Sequence, residues 1–483
     1  MLKLTHVRRL ASVLLLFALG FSIMDTSVSA RTRTLARTTK TQTSTVNTTT
    51  TNTKTTSTTT VTATTTATSK TTTGTITAHA TVDFSLSAPQ KNLSGFLHGF
   101  YSTSPTDTLL QPLKPTWWRV AADDTMTYSR ATRLGAQPII VVSDAYGYPQ
   151  DNWQGNGAPW QNNWANWEAK VRQLARQYKN IPVYWDIWNE PDTVSWNTTQ
   201  FWNGTPAQFY ETYRRAYNIL RQELGASAMI GGPSYANYDQ AAMTAFLTYC
   251  NQNNLQVNFL SWHELSEVDA SLPSITQHLS TMRSLANSMP NLRMQKILIT
   301  ESVGPKITYS PGDIIGTLYY LELGGADGAD KACWYDSKGQ NNCYNGSVDG
   351  IINPYSSTGP APRAAWWAYK TYADGIASRV KATTDNANLV VMASKTPGQV
   401  LLGYIGTKTT AANVSLNLRN LGFIGQKGGT VTVNVAKVPN AQEATVSNLS
   451  PISSSTVPVT NGSATLTISG IKLHEEYVVY LTP

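Results

Sequence analysis

The chain has 483 residues, more than one compact domain usually holds, and 41% of them are hydrophobic. Its formal net charge of +8 comes from the first 80 residues, which carry nine Lys or Arg and one acid, whereas the remaining 28 basic and 28 acidic residues cancel. A neutral globular part excludes the electrostatic footprint of a nucleic-acid-binding protein, so we expect no nucleic-acid partner.

Residues 1–30 have the pattern of a secretory signal peptide. Three basic residues precede an apolar run from Leu10 to Ile23, and Val28-Ser29-Ala30 supplies small residues for cleavage. The run is too short to favour a membrane-spanning helix, although an uncleaved anchor remains the alternative. We therefore expect a secreted, extracellular protein, associated with a cell surface or free, without stable membrane insertion after cleavage.

Residues 31–80 form a low-complexity segment. Among residues 41–80, 23 of 40 are Thr, with almost no large apolar side chains. Such a segment cannot bury enough surface to offset the entropy of ordering its backbone. We expect a Thr-rich, disordered stalk.

Strands and helices alternate from about residue 90. The eight predicted strands are Gly95–Tyr101, Thr116–Val120, Gln137–Ser143, Val183–Trp188, Met229–Gly232, Asn258–Trp262, Lys296–Thr300 and Lys331–Trp334. The predicted helices are Trp164–Tyr178, Pro206–Leu224, Gln240–Asn251, Leu272–Ser288 and Ala361–Asp374. This alternation favours an α/β fold, a (β/α)8 TIM barrel over residues 81–375. A doubly wound open sheet is the alternative, but its Gly-rich first turn is missing.

Residues 376–483 have a different pattern, with short alternating strands separated by Gly, Pro and Asn. The predicted strands are Asn388–Ala393, Gln399–Ile405, Asn413–Leu418, Gly429–Ala436, Ser463–Ile468 and Glu476–Leu481. This spacing predicts a C-terminal antiparallel β-sandwich domain, to which residues 81–87 could add a strand.

The chain has three cysteines, and export would permit a disulfide. Cys333 and Cys343 bracket a Gly- and Asn-rich loop and are the expected pair, whereas Cys250 lies in a predicted helix and is expected to be a buried free thiol. No His/Cys cluster has zinc spacing, and no single strand end offers a His/carboxylate ligand set. We expect neither a metal nor a cofactor.

Two glutamates lie at the ends of predicted barrel strands. Glu190 follows the apolar run that ends in Trp188-Asn189, and Pro191 ends the strand; Glu301 follows Ile297-Leu298-Ile299-Thr300. Active sites of TIM barrels are built at the C-terminal ends of the strands. Two carboxyl groups there predict acid/base and nucleophilic chemistry on a glycosidic bond.

Other strand ends carry side chains suited to the same site. Arg119 could keep a nucleophilic carboxylate ionised, Asn189 could bind a sugar 2-hydroxyl, and His263 could orient the nucleophile or bind a hydroxyl. Trp334 could stack on a sugar face, and Glu264 is a rival catalytic carboxylate. Further candidates near strand ends are Tyr101, Tyr235, His98, Asp144 and Tyr146.

The motifs at these strand ends resemble the retaining glycoside hydrolases of clan A. Trp117-Trp118-Arg119, Ser261-Trp262-His263-Glu264 and the trailing sandwich are most similar to glycoside hydrolase family 39. The resemblance covers about residues 92–483. It implies that Glu190 is the acid/base and Glu301 the nucleophile of an O-glycosyl hydrolase that acts on an oligo- or polysaccharide.

Two other functions use the same residues or scaffold. A transglycosylase that remodels polysaccharide would share every catalytic residue, and a non-catalytic carbohydrate-binding wall protein would share the barrel. The presence of both glutamates argues against the second. A uronic acid substrate would need a cation beyond Arg119, for which Lys306 is the nearest candidate in sequence. We expect a neutral, β-linked sugar of a wall or extracellular polysaccharide.

Overall fold

A computed structural model describes residues 77–149, 158–192, 201–265, 271–406, 412–424 and 429–483. The predicted signal peptide and all of the predicted stalk except its last four residues lie outside the described residues. Residues 77–87 form the first strand, β1 (Thr77–Ser87).

Eight parallel strands close into a barrel, which confirms the predicted TIM-barrel fold. In chain order they are β2 (Gly95–Leu97), β3 (Trp117–Ala121), β4 (Gln137–Val141), β5 (Tyr184–Asp186), β6 (Met229–Tyr235), β7 (Phe259–Glu264), β8 (Lys296–Ser302) and β9 (Gly328–Lys331). Their apolar, β-branched sequences suit strands that are covered on both faces.

The helices pack around this barrel. They are α1 (Asp107–Leu110), α2 (Thr125–Arg133), α3 (Val142–Tyr146), α4 (Trp164–Gln177), α5 (Pro206–Leu224), α6 (Gln240–Gln252), α7 (Ser274–Asn287), α8 (Pro311–Gly324) and α9 (Ala364–Asp374). The sequence predicts α4, α5, α6, α7 and α9 to within three residues, but α1, α2, α3 and α8 are missed. Helix α8 is buried from Pro311 to Leu318, so it lacks the polar face that produces a helical period.

Two barrel strands, β2 and β9, differ most from their predicted limits. β2 ends at Leu97 because His98 adopts a φ of +47°, which takes the backbone out of the strand and leaves Tyr101 on a loop. β9 begins at Gly328, three residues earlier than predicted. A Cβ on Gly328 would lie 2.4 Å from Nε1 of Trp117, so this strand needs a glycine at that position. Because β9 begins with this small residue, its sequence lacks the apolar run that predicts a buried strand.

The C-terminal residues and β1 form a nine-stranded sheet, in the order β17-β16-β19-β14-β13-β12-β1-β15-β18. Its remaining strands are β12 (Arg379–Thr384), β13 (Leu389–Ser394), β14 (Gln399–Tyr404), β15 (Ala412–Arg419), β16 (Thr430–Val438), β17 (Ser450–Pro458), β18 (Ala464–Ile471) and β19 (Glu476–Thr482). A two-stranded piece, β10 (Ile352–Asn353) with β11 (Ala361–Pro362), precedes them. Alternate residues of both halves of the sheet share one apolar core, as in a sandwich.

Strand β1 corrects two sequence-based expectations. It pairs antiparallel with β12 but parallel with β15, so the sheet is mixed rather than wholly antiparallel. It also begins at Thr77, with Ala78 and Ala80 buried, so a stalk that ends at residue 80 extends too far. Strands β12 and β17 are missed by the sequence analysis; β17 is a largely exposed run of Ser and Thr that carries no apolar alternation.

The sheet packs on the barrel through α8 and α9. Apolar residues of the sheet such as Val390, Leu401 and Val478 belong to the same core as the barrel helices. The backbones of α8 and β14 approach closely, because a Cβ on Gly403 would lie 2.7 Å from the carbonyl oxygen of Gly312. Throughout the described part of the chain, no helix has the combination of length and apolarity that crossing a membrane requires.

Candidate active site

The barrel interior is apolar at its lower end and polar above. The lower layer consists of Trp117, Ile139, Phe259 and Leu298, with Tyr184 packed against it. Two residues further along β3, Arg119 is 1% exposed in the barrel. The apolar layer closes one end of the barrel, so polar chemistry is confined to the C-terminal ends of the strands.

Arg119 connects the ends of several strands. Its Nε and Nη2 donate to Oδ2 of Asp186, at 3.0 and 2.8 Å, and Nη2 also donates to Oδ1 of Asn189 at 2.8 Å. Its Nη1 donates to Oε1 of Glu301 at 3.1 Å. Burial opposes the charge of Arg119, but Asp186 and Glu301 raise its pKa above the ordinary value. The guanidinium is therefore a permanent cation at the centre of the site.

Asp186 is the last residue of β5 and is fully buried. Its Oδ2 accepts from Arg119 and, at 2.8 Å, from Oγ of Ser234 on β6. Sequence reasoning missed the role of Asp186, although an acid inside an apolar strand is a signal for a buried cation. Asp186 holds the guanidinium in the orientation that presents Nη1 to Glu301.

Glu190 sits in a strained backbone conformation beyond β5. Its φ is +50°, in the left-handed region that non-glycine residues rarely adopt, and its N–H donates to the Ser234 carbonyl at 2.9 Å. The N–H of Asn189 donates to Oγ of Ser143 at 3.0 Å. These bonds hold the backbone so that the buried carboxyl group of Glu190 turns toward the barrel axis.

His263 lies between the two glutamates and is fully buried. A hydrogen bond of 3.0 Å joins its Nδ1 to Oε1 of Glu190, and its Nε2 lies 3.9 Å from Oε1 of Glu301. Burial lowers the pKa of His263 to about 4, an effect that nearby Arg119 reinforces and Glu301 opposes. The imidazole is neutral at physiological pH and can orient both carboxyl groups.

A bulge in β8 aims Glu301 into the site. Trp262 of β7 pairs with Ile299 of β8, but the next residue, His263, pairs with Glu301, so Thr300 is an extra residue in the strand. Paired residues on neighbouring strands share a face, which gives Glu301 the same direction as His263. The bulge therefore lets Thr300 and Glu301 both face the interior.

The two glutamates are close enough to influence each other. One ligand atom each from Glu190, His263 and Glu301 lies within 4.8 Å of the others. Burial raises the pKa of Glu190 to about 7, and burial also raises the pKa of Glu301, which Glu190 raises further and His263 and Arg119 lower. The direct hydrogen bond from the guanidinium favours the ionised form of Glu301.

The same three side chains could hold a cation. A histidine nitrogen and two carboxylate oxygens are ligands that Zn²⁺ accepts. The sequence-based argument considered each strand end alone, whereas the fold brings residues of three strand ends together. Any such ion would occupy the space in which the carboxyl groups face each other.

Hydrogen bonds fix the positions of two further candidates, Glu264 and Trp334. Glu264 points away from His263, since successive strand residues face opposite sides, and it accepts from Trp262 Nε1 at 2.7 Å and from His278 Nδ1 at 2.9 Å. It is a structural acceptor outside the barrel. Trp334 lies beyond β9, half-buried, with its Nε1 donating to the Val303 carbonyl at 3.0 Å, so its indole is held beside the strand that carries Glu301.

Two of the aromatic candidates are packed into the core. Tyr235 is 4% exposed against the ring of Phe209, and Tyr146 is fully buried against Trp167. Their burial favours packing over contact with a sugar. Tyr101, by contrast, is exposed on the loop that follows β2.

His98 and Asp144 lie at the edge of the site. The N–H of His98 donates to the Arg119 carbonyl at 2.7 Å, and burial lowers the pKa of the His98 imidazole to about 4. Asp144 accepts from the Tyr148 hydroxyl, and burial raises its pKa, which Arg119 opposes. Sequence reasoning missed Tyr148 and also Tyr344, whose ring lies 5.1 Å from that of His98. Tyr344 follows Cys343, which was the one signal that its position is restrained.

Part of the chain matches a known protein family. The model of the family described as glycosyl hydrolases family 39 matches residues 139–301, which include both glutamates. The sequence-based resemblance to this family is therefore confirmed.

Solved structures share the fold over most of the chain. N2152 from Neocallimastix frontalis is 22% identical, with a TM-score of 0.67, and the match covers 84% of this chain and 100% of that one. A glucosidase from Croceicoccus marinus is 13% identical, with a TM-score of 0.62 and coverage of 85% and 100%. The GH39 enzyme from Xanthomonas axonopodis pv. citri is 15% identical, with a TM-score of 0.59 and coverage of 86% and 99%. These likenesses show the fold, and the family match supports a glycosidase.

Proposed function

We propose that this protein is a secreted, retaining glycoside hydrolase that cleaves O-glycosidic bonds of a wall or extracellular polysaccharide by double displacement. The observation that carries the proposal is the separation of Glu190 and Glu301, whose carboxylate oxygens lie within 4.8 Å of each other. Retaining enzymes have carboxyl groups about 5–5.5 Å apart, whereas inverting enzymes need about 6.5–9.5 Å to admit a water molecule.

The electrostatics support Glu301 as the nucleophile and Glu190 as the acid/base. The Arg119 contact favours an ionised Glu301, and burial keeps Glu190 protonated up to a pKa of about 7. In the first step an oxygen of Glu301 bonds to the anomeric carbon, the glycosidic C–O bond breaks, and the Glu190 proton goes to the leaving oxygen. In the second step Glu190 takes a proton from water, whose oxygen displaces Glu301.

Asn189 is suited to stabilise the transition state. Its Oδ1 accepts from Nη2 of Arg119, so the amide NH2 is the group that remains to donate to a ligand. A hydrogen bond from an enzyme to the sugar 2-hydroxyl strengthens as the ring becomes oxocarbenium-like. We assign this role to Asn189, immediately before the acid/base.

The charges around the site support a neutral substrate. Arg119 already donates to Asp186, Asn189 and Glu301, which leaves it little capacity to bind a sugar carboxylate. The signal-like residues 1–30 support export. A β-linked neutral sugar of a polysaccharide is the substrate class that fits both.

Azide rescue of alanine variants tests the two roles. With Glu301→Ala, azide should replace the missing nucleophile and give a glycosyl azide of inverted configuration. With Glu190→Ala, an aryl glycoside with a good leaving group still forms the covalent intermediate, and azide should give the product of retained configuration. Proton NMR of the product distinguishes the two anomers.

The wild-type protein provides the control for the whole proposal. The first-formed sugar should retain the anomeric configuration of the substrate. An inverted first product would contradict double displacement, and reversed azide outcomes would exchange the roles of the two glutamates. Absence of hydrolysis across a panel of aryl glycosides and polysaccharides would favour a binding protein.

A further inference from the structure

Four exposed tyrosines lie on the loop after β2 and on the segment after β9. Tyr101, Tyr335, Tyr344 and Tyr355 are 57%, 70%, 61% and 61% exposed and account for four of the nine large hydrophobic side chains that the described residues expose. Three of them belong to the segment that follows β9. Exposed apolar groups that collect in one region mark a binding surface more often than scattered ones do.

The four tyrosines lie on or beside one segment, residues 335–355. The backbone of Tyr335 forms a β-bridge with that of Asn341, and the Tyr355 hydroxyl donates to Oε1 of Gln340 at 3.4 Å. Tyr101 joins them from the β2 loop, because a Cβ on Gly346 would lie 3.2 Å from its ring. The four residues, which we call the tyrosine cluster, therefore lie around one loop.

Tyr344 links the cluster to the edge of the candidate active site. Its ring lies 5.1 Å from that of His98, and the adjacent Cys343 carbonyl accepts from the N–H of Gly99 at 3.3 Å. Burial raises the pKa of the Tyr344 hydroxyl, and the negative charges of Asp144 and Glu301 raise it further. The hydroxyl thus lies in the field of the active-site carboxyl groups while much of the side chain is open to solvent.

The loop is held from several sides. A disulfide joins Cys333 to Cys343, and the N–H and Oγ of Ser337 donate to the two carboxylate oxygens of Glu443 at 2.7 and 2.8 Å. Glu443 belongs to the connection between β16 and β17, so the C-terminal sheet supports this part of the barrel. Because these contacts already restrain the loop, it would lose less conformational entropy when a ligand binds.

We propose that the tyrosine cluster is a platform that binds the neutral polysaccharide chain as it extends from the catalytic glutamates. The rings offer flat apolar faces for the C–H faces of sugars and hydroxyls for hydrogen bonds. The cluster itself consists of uncharged side chains and is continuous with the site through Tyr344 and His98, which fits a neutral glycan rather than a charged partner. This inference rests on the proposed function and extends it to substrates longer than one sugar residue.

The test compares a polymer with a small substrate. Tyr335→Ala, Tyr355→Ala and the double variant should raise KM for a soluble polysaccharide that the wild type hydrolyses, by about tenfold for the double variant. The kcat/KM for an aryl glycoside, which reaches only the sugar site next to the glutamates, should change much less. Tyr335→Phe keeps the ring and should retain most of the polymer affinity.

Leu323→Ala is the matched control, since Leu323 is 57% exposed on α8, and it should leave both substrates unaffected. Equal losses on both substrates, or none on the polymer, would overturn the platform while leaving the glycosidase proposal intact. Inactivity of the wild type on both would instead overturn the glycosidase proposal. Sedimentation provides a further check: a wild-type dimer that the variants dissociate without a change in polymer KM would identify the cluster as a contact between copies.

Discussion

Nη1 of Arg119 lies 3.1 Å from Oε1 of Glu301, and this contact distinguishes the two glutamates of the site. Glu190 instead has its carboxyl group hydrogen-bonded to the neutral His263. Burial raises the pKa of both carboxyl groups, and Arg119 opposes that effect at both; at Glu301 it also donates a direct hydrogen bond. The fold thus gives two chemically identical side chains different hydrogen-bond partners.

Replacing Arg119 with lysine should reduce activity and shift its pH dependence. A lysine keeps the charge but cannot reach Asp186, Asn189 and Glu301 together, because it lacks the guanidinium fork. We expect the acidic limb of kcat/KM to move upward by about one pH unit, as Glu301 loses part of the stabilisation of its charge. An unchanged acidic limb in Arg119→Lys would contradict the assignment of this limb to Glu301.

Conservative amide variants of the two glutamates should lose activity with the fold intact. Glu190→Gln should slow hydrolysis of a polysaccharide by about 10²–10⁴-fold, the usual contribution of general acid–base catalysis. Glu301→Gln should abolish turnover on every substrate, because no carboxylate remains to form the covalent intermediate. Steady-state kinetics, with circular dichroism as a check on folding, measure both.

Glu264→Gln is the matched control for these variants. Glu264 is equally buried and lies next to His263, but its carboxylate accepts from Trp262 and His278 outside the barrel. A glutamine retains an oxygen for the Trp262 indole, so we expect near-native turnover with a modest loss of stability. A loss as large as that of Glu190→Gln would return Glu264 to the list of catalytic candidates.

The basic limb of the pH profile should report Glu190. Its pKa is raised to about 7 by burial, so the acid form that protonates the leaving group is lost as the pH rises through 7. The kcat/KM for a substrate with a poor leaving group should therefore fall about tenfold per unit above this pH. When an activated aryl glycoside is the substrate, the kcat/KM of Glu190→Gln should no longer fall above pH 7. If the fall persists, a group other than Glu190 titrates near pH 7.

Two N-terminal deletions should separate the stalk from the folded protein. Removing residues 31–76 should leave the melting temperature of the mature protein unchanged, whereas removing residues 31–87 takes away β1. That strand pairs with β12 and β15 and buries Val82 and Phe84 fully, each worth about 1.5–3 kcal/mol. We expect the longer deletion to unfold at a lower temperature or to aggregate, and calorimetry of the two proteins tests this directly.

Glu476 should make stability depend on pH. The side chain is fully buried on β19, accepts from Oγ1 of Thr371 at 2.5 Å, and burial raises its pKa from 4.5 to about 8. The folded protein keeps this proton up to about pH 8, while the unfolded chain releases it above about 4.5, so stability falls as the pH rises between these values.

Glu476→Gln should therefore be more stable than the wild type by a margin that grows from pH 5 to pH 8. The difference should reach roughly 2–5 kcal/mol in the free energy of unfolding, because each pKa unit corresponds to about 1.4 kcal/mol. Urea denaturation at several pH values measures it. A margin that does not vary with pH would show that Glu476 does not titrate in this range.

Much of the fold was predictable because its signals are local. Apolar, β-branched runs predict the barrel strands, and the apolar periodicity of the intervening segments predicts helices such as α4 and α5. Helix α8 and strand β17 were missed for opposite reasons, one being buried on nearly all sides and the other exposed along its length. A hydrophobic pattern disappears in both cases, since it depends on a contrast between two faces.

The sequence by itself determined the barrel and placed Glu190 and Glu301 at strand ends, because strand length, terminating residues and alternation are properties of short segments. Only the tertiary structure decided which side chains meet. The bulge at Thr300, the left-handed backbone of Glu190 and the contacts of Arg119 with three acceptors depend on strands far apart in the chain. The same holds for the position of β1 in the sheet and for Tyr344 beside His98. Register and long-range packing are set by the whole barrel, and no local pattern encodes them.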